Sequence, residues 1–286
     1  MARVAVLGTG LLGSALAEGL LSRGATDLVV WNRTRTKAEP LASHGARVAD
    51  NIADAVSGAE LVHLVLRDDD TVDAAVAEFR ASLAPRAVIV DHTTTRPDRT
   101  AARAAALDAA GIEYLHAPVM MGPGAARTAK GMMLVAGPNE RFARVRDSLA
   151  AMTGELWHVG ERPDLAAVYK LLGNAAVLST VGVLADIMHL ADASGVTREG
   201  ALQMLSKVNL SGTIGFRGPM MAQESFAPQF TLDVARKDVR LMLESASGEP
   251  TPMLRALAAR MDELLAAGEA EQDVAVLGKR GREGEK

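Results

Sequence analysis

Two unbroken apolar runs open the chain: Val4-Ala5-Val6-Leu7, closed by Gly8, and Leu28-Val29-Val30-Trp31, closed by Asn32. Continuous rather than alternating apolar runs predict strands covered on both faces, as in a parallel sheet. The Ala/Leu-rich stretch between them, ending at Gly24, predicts a helix. Similar runs at 61–66 (broken only by His63), 87–91, 114–118, 132–137 and 156–159 predict further strands. Helices are predicted over 37–44, 72–83, 97–110 and 140–152. The alternation stops near Gly160, and everything beyond has helical spacing. Asp164 is placed to cap a long helix running to Gly195, followed by helices over 197–208, 236–247 and 252–267. The long helix measures roughly 45 Å. It is apolar on most sides, which predicts burial between the two halves or between subunits. The pattern is α/β: a doubly wound sheet over 1–160, an all-α domain over 161–277, and a disordered tail over 278–286 that carries no apolar side chain. There is no internal repeat.

The first strand, helix and second strand enclose glycines at spacing Gly8-Thr9-Gly10-Leu11-Leu12-Gly13. This is the βαβ fingerprint of a Rossmann dinucleotide-binding domain. Gly8 serves the tight turn, Gly10 admits a pyrophosphate against the backbone, and Gly13 allows helix and strand to approach. The helix N-terminus then presents free N–H groups to the phosphates. A carboxylate at the end of the second strand would hold the ribose 2′-OH of NAD(H). Here that position is Asn32, with Arg33, Thr34, Arg35 and Lys37 following. A cationic cluster in place of a carboxylate predicts NADP(H) in preference to NAD(H).

Composition narrows the classes. The 286 residues are 49% hydrophobic with a formal net charge of −4, which argues against disorder and against a basic nucleic-acid surface. The chain has no cysteine, so disulfides and thiolate chemistry are excluded, and its six histidines show no metal-ligand spacing. Met1-Ala2-Arg3 leads straight into the first strand without a signal-peptide pattern. The most apolar helical segment, 175–185, is interrupted by Ser179 and Thr180 and closed by Asp186, too short to span a bilayer. The expectation is a cytoplasmic protein without metal, membrane or nucleic-acid partner.

Candidate chemistry sits at strand ends and on the long helix. Arg67-Asp68-Asp69-Asp70 follows the 61–66 run; Asp70 is expected to cap the next helix, and no catalysis is assigned to the aspartates. His92-Thr93-Thr94-Thr95-Arg96-Pro97 offers hydroxyls that either meet a nicotinamide carboxamide or cap the helix begun by Pro97. The loop Val119-Met120-Met121-Gly122-Pro123-Gly124 lies where a substrate would meet the cofactor. Lys170 and Asn174 stand four apart, on one helix face. Spacing alone leaves open whether Lys170 is a snorkelling side chain or a catalytic one.

Taken together, the glycine loop, Lys170 with Asn174, and Lys237-Asp238 resemble the β-hydroxyacid dehydrogenase family. Its members include 3-hydroxyisobutyrate dehydrogenase and glyoxylate/succinic semialdehyde reductase, and it is related to 6-phosphogluconate dehydrogenase. The likeness covers the chain to about residue 270. It implies that Leu66-Arg67 lies beside the cofactor, where the family usually has Leu-Pro. Asp91-His92-Thr93-Thr94 corresponds to Asp-x-Ser-Thr, putting Thr94 near the nicotinamide. Lys237 of Lys237-Asp238-Val239-Arg240-Leu241 would close over the cofactor. Lys170 would be the general acid/base, with Asn174 holding it or the substrate oxygen. The resemblance also implies a homodimer and an active site in the cleft between the domains, acting on a small carbonyl or hydroxy compound.

One departure matters. The family's Pro-Val-Ser-Gly-Gly, which receives a carboxylate, reads Pro118-Val119-Met120-Met121-Gly122 here. That makes a more apolar carbonyl compound a credible substrate. It also brings in NADPH-dependent imine reductases and reductive aminases, which share the fold but usually carry Asp or Tyr where Lys170 stands. A non-catalytic NADPH-binding scaffold is a third reading.

Overall fold

In the computed structural model, residues 3–281 are described. They form two compact units, one reaching to Ala175 and the other starting at Ala176.

The first unit is built on a nine-stranded sheet. Its elements run β1 (Val4–Leu7), α1 (Leu11–Ser22), β2 (Leu28–Trp31), β3 (Arg47–Val48), α2 (Ile52–Val56), β4 (Leu61–Leu64), α3 (Asp69–Phe79), β5 (Val88–Asp91) and α4 (Pro97–Ala109). Then come β6 (Glu113–His116), β7 (Val119–Met120), α5 (Pro123–Arg127), β8 (Met132–Ala136), α6 (Asn139–Ala150) and β9 (Glu155–Gly160). The start of α7 (Leu165–Ala193) completes it. Six strands are parallel in the order β3-β2-β1-β4-β5-β6, with β1 between β2 and β4. That is the doubly wound order with its switch point at β1. β6 and β7 follow one another along an antiparallel partner, β8, and β9 joins β8 in parallel. Ala117-Pro118 separates β6 from β7, as expected of a residue that cannot donate to a ladder.

Both faces of the sheet are covered. One face packs Leu7, Val62, Leu64 and Ile89 against Phe79 of α3; the other packs Val88, Val90, Leu115 and Met133 against Leu149 of α6. Each such side chain contributes about 1.5–3 kcal/mol by burial. The apolar runs of the sequence were therefore strands for the reason they looked like strands.

Several local expectations need correction. The 37–44 helix is a pair of tight 3₁₀ turns, Arg35–Lys37 and Glu39–His44. The short β3 and α2 had no distinct signal. The cap of α3 is Asp68, not Asp70: Asp68 accepts from the Thr71 N–H at 3.0 Å. Asp70 instead meets Arg99 at 2.5 Å on the surface.

The second unit holds the rest of α7, α8 (Arg198–Leu205), α9 (Leu210–Gln223), α10 (Leu232–Ser245), α11 (Pro252–Ala266) and a closing 3₁₀ turn, Val274–Gly278. Its core gathers Leu232, Val239, Met261, Leu264 and Val276. Buried Asp273 ties it together, accepting the Gln229, Phe230 and Ala275 N–H groups and pairing with Arg217 at 3.0 Å. Burial pushes the Asp273 carboxyl up, but those N–H groups and Arg217 hold it below the usual carboxylate range. Buried Asp186 on α7 accepts the Leu254 N–H at 2.7 Å, satisfying a free donor in the first turn of α11. α9 had no counterpart in the sequence reading, because Gly212, Gly215, Gly218 and Pro219 all count as helix breakers. Asn209 caps it, accepting from Gly212 N–H at 2.8 Å.

The long helix runs through the boundary between the two compact units, which falls at Ala175/Ala176. Its apolar side chains are also largely exposed in the single chain: Leu172 is 61% exposed, Leu178 68% and Val181 58%. Thr180 does not interrupt the apolar stretch, since its hydroxyl donates to the Ala176 carbonyl within the helix. By length and composition alone this helix could cross a membrane, which corrects the shorter segment read from sequence. Residues 278–281 of the expected disordered tail are described: Lys279 N–H donates to Val276 O at 2.9 Å, and its ammonium pairs with Glu269. The remainder, 282–286, lies outside the described residues.

Candidate active site

The cofactor end of the site is made by backbone. Gly8 has φ +98°, and a Cβ there would sit 2.3 Å from the Val65 carbonyl oxygen. A Cβ on Gly13 would fall 1.9 Å from Gly8 O. Gly10 faces open space, with no atom within 4 Å of where its Cβ would be. Gly10 is also the N-cap of α1; no side chain caps the helix and its first turn has no acidic residue. Its first-turn N–H groups and dipole are thus available to an anion. The Thr9 hydroxyl is buried without a partner, as a donor kept for a ligand would be. Leu11, 85% exposed, and half-buried Leu12 follow on the first turn. This cradle fits a dinucleotide pyrophosphate.

Asn32 is bound inward. Its Oδ1 accepts from the Thr9 N–H at 3.1 Å and its Nδ2 donates to Thr34 O at 2.9 Å, so it pins the glycine turn to the end of β2. A cavity of about 410 Å³ opens beside it. Its lining includes Gly8, Gly10, Asn32, Arg33, Thr34 and Lys37, together with Leu66, Arg67, Thr71 and Glu78. Arg35 is turned away, bound to Glu39 and Asp50. Arg67 pairs with Asp68 at 2.7 Å.

At the ends of β4, β5 and β6 the site is made by side chains. Thr93 Oγ1 accepts the Leu66 N–H at 3.1 Å, fixing the strand-end dipeptide. Thr94 is exposed, whereas Thr93 and Thr95 are buried. None of the three hydroxyls caps α4; the Arg96 N–H at its start is taken by Asp69 Oδ2 at 3.0 Å. Asp69 also binds Arg103 at 2.8 Å, and Asp91 accepts from Tyr114 Oη–H and Thr93 N–H, each at 2.9 Å.

Three buried histidines, none singled out from the sequence, join these strand ends. His92 Nδ1 lies 2.6 Å from Ala117 O and must donate to it, so in the neutral ring Nε2 accepts from His63 Nδ1 at 2.9 Å. His116 Nε2 donates to Thr93 O at 3.0 Å, leaving its buried Nδ1 as an unpaired acceptor. Burial lowers the pKa of all three, His63 most strongly. Their one sequence signal was a polar residue inside or at the end of an apolar run.

Lys170, in the second turn of α7, is half-buried. Its Nζ donates to Val119 O at 2.8 Å and Asn174 Oδ1 at 2.9 Å, and lies 3.4 Å from Met120 Sδ. Loss of hydration lowers its pKa from the ordinary 10.5. Met120, fifty residues away in sequence, is thus brought to the Lys170–Asn174 pair. Met121 packs against the sheet's core cluster, and exposed Gly122 caps α5. Lys237 lies in the second unit on α10, its Nζ 2.9 Å from Asp238 Oδ1.

The NAD binding domain of 6-phosphogluconate dehydrogenase matches residues 3–160. The NAD-binding domain of NADP-dependent 3-hydroxyisobutyrate dehydrogenase matches residues 165–279. The uncharacterized oxidoreductase YfjR of Bacillus subtilis is 29% identical over 248 residues, 85% of this chain and 86% of its own. The NADH-dependent oxidoreductase ucdB of Aspergillus ustus is 30% identical over 201 residues, 69% of this chain and 68% of its own. In fold, the chain is similar to the imine reductase of Myxococcus stipitatus in complex with NADP+: TM-score 0.89, 24% identity, covering 96% of this chain and 98% of that one. Glycine cradle, doubly wound order and helical second half agree with these matches, and the chain belongs to the β-hydroxyacid dehydrogenase family of NAD(P)-dependent oxidoreductases.

Proposed function

We propose that the chain interconverts a small carbonyl compound and its hydroxy counterpart with NADP(H), Lys170 acting as general acid and base. The observation that carries this is the Lys170 ammonium, half-buried and held by Val119 O and Asn174 Oδ1. In the reductive direction bound NADPH supplies hydride to the carbonyl carbon. Lys170 offers an N–H to the carbonyl oxygen, stabilises the charge growing there and delivers the proton. In the oxidative direction the neutral amine takes the proton from the alcohol, which the lowered pKa favours. Asn174, one helical turn on, keeps the ammonium aimed.

The preference for NADP(H) rests on Arg33, Thr34 and Lys37 beside the cavity and on Asn32, whose amide is committed to Thr9 and Thr34. No carboxylate occupies the end of β2 to claim a ribose 2′-OH. The NADH-dependent relative makes measuring this preference worthwhile.

A second reading, reduction of imines, is favoured by Met120 beside Lys170 and by likeness in fold to an imine reductase. NADPH consumption over aldehydes, keto acids and cyclic imines, by the protein and by Lys170→Ala, separates the two. Carbonyl turnover lost in Lys170→Ala supports the first reading; imine turnover indifferent to Lys170 replaces it with the second. NADPH binding with no turnover of either class points to a scaffold.

The exposed apolar side chains of α7, with Ile214 and Phe216 of α9, suit burial against a second copy. A homodimer would have twice the 30.0 kDa chain mass by light scattering. Leu178→Asp is expected to shift it towards monomer.

A further inference from the structure

Lys170 has three ammonium protons and three acceptors around them. Two are oxygens, Val119 O at 2.8 Å and Asn174 Oδ1 at 2.9 Å; the third is the Met120 thioether at 3.4 Å. Sulfur of this kind is a weak acceptor, so a substrate oxygen that binds Lys170 displaces the thioether rather than either oxygen. Val119 and Asn174 are also less free to yield. Val119 is buried and paired with Met133 across the β7–β8 ladder, and Asn174 lies on the same helix as the lysine. The carbonyl oxygen therefore enters on the Met120 side, and Met120 is the side chain that meets the rest of the substrate.

Met120 is seated by a second feature. A Cβ on Gly173 would stand 2.8 Å from Met120 Cε and 3.3 Å from Sδ, so the thioether methyl occupies a notch that exists because residue 173 has no side chain. The side chain beside the lysine is thus an apolar thioether, which has no donor to offer. A carboxylate carried near the reacting carbonyl would lose water there and gain no hydrogen bond from this side chain.

Resting on the reading of Lys170 as acid/base, we propose that Met120, seated against Gly173, is the specificity-determining residue. It selects carbonyl compounds whose substituent is uncharged and apolar over those bearing a carboxylate.

The test compares kcat/KM for butanal and for succinic semialdehyde, equal in chain length, in the full-length protein and three variants. The protein is expected to favour butanal by about tenfold or more, the scale on which one pocket contact discriminates. Met120→Ser is expected to move the ratio towards the semialdehyde by about tenfold, because a hydroxyl can donate to a carboxylate. Met120→Leu, apolar and similar in size, should keep the original preference. A native preference for the semialdehyde, or a ratio that Met120→Ser leaves where it was, overturns the inference. Turnover of neither aldehyde overturns the underlying carbonyl reading, and turnover that survives Lys170→Ala overturns the reading of Lys170 as acid/base. That failure is distinguishable because both substrates then behave alike.

Discussion

The carboxyl edge of the first unit's sheet is built in two different ways. At the ends of β1 and β2 the backbone does the work: Gly8, Gly10 and Gly13 make a cradle by having no side chains, and Asn32 clamps it. At the ends of β4, β5 and β6 side chains do the work: Thr93, the three histidines, Asp91 and Asp69 bridge one strand end to the next. Lys170 binds the continuation of that second region through Val119 O. The difference teaches which changes the molecule tolerates. In the first region a methyl added at Gly8 or Gly13 collides with the main chain, and one added at Gly10 fills the space left for the cofactor, so the damage is to the shape that receives it. In the second, a lost side chain removes one function and leaves the backbone in place.

The sharpest test of this contrast is Lys170→Ala. Reductive kcat should fall by about 10²–10⁴-fold, the usual contribution of a positioned acid. NADPH affinity and melting temperature should change little, since Lys170 is remote from the glycine cradle in sequence and in its bonds. In the native protein reductive kcat should hold at neutral pH and fall as pH rises through the Lys170 pKa, below 10.5; oxidative kcat should rise over the same range. Lys170→Ala should abolish both limbs in pH–rate profiles.

The opposite pattern is expected of Gly13→Ala. Its methyl would lie 1.9 Å from Gly8 O, so the turn must open. A loss of about 1–3 kcal/mol in chemical denaturation should accompany weaker NADPH binding by fluorescence titration. Loss of kcat with normal NADPH affinity would break the comparison.

Arg33→Ala separates the cofactor's parts within the first region. Removing one charge-assisted contact to a 2′-phosphate should weaken NADPH by about tenfold and leave NADH nearly unchanged. An equal effect on both would mean that Arg33 does not read the phosphate.

The smallest effect is titration of the second region. His63, His92 and His116 each have a folded-state pKa below 6.5, so the unfolded chain takes up these protons first. Their contribution to stability is complete above pH 6.5 and is lost as pH falls beneath it, at up to ~1.4 kcal/mol per pH unit for each proton. Melting temperature should decline as pH falls below 6.5, and His63→Leu should flatten the decline.

Legibility from sequence follows the same divide. The glycine cradle was readable because each glycine answers a local backbone demand at fixed spacing, and the strands because a buried parallel strand needs an unbroken apolar run. Lys170 with Asn174 was readable as an i,i+4 pair whose meaning came from resemblance, which also set the lysine facing the Met120 loop; that the thioether sulfur itself meets Nζ was not readable, because that contact depends on how α7 lies against β7. The histidine bridges were hidden for the same reason: His63, His92 and His116 meet only when β4, β5 and β6 are aligned. Composition alone predicted burial of α7 between the halves or between subunits; in the single chain Leu172, Leu178 and Val181 are exposed. α9 was missed because Gly212, Gly215, Gly218 and Pro219 oppose a helix locally.

The seating of Met120 over Gly173 also constrains how this sequence can change. The two positions share one volume, so neither is free to vary alone. A larger residue at 173 must evict the thioether, and a smaller one at 120 leaves a void that a side chain at 173 could fill. Gly173→Ala should therefore be harmful on its own and better tolerated when combined with Met120→Ala. Strand and helix are, at this point, a single heritable unit: a change of substrate wall on β7 becomes accessible through a compensating step on α7.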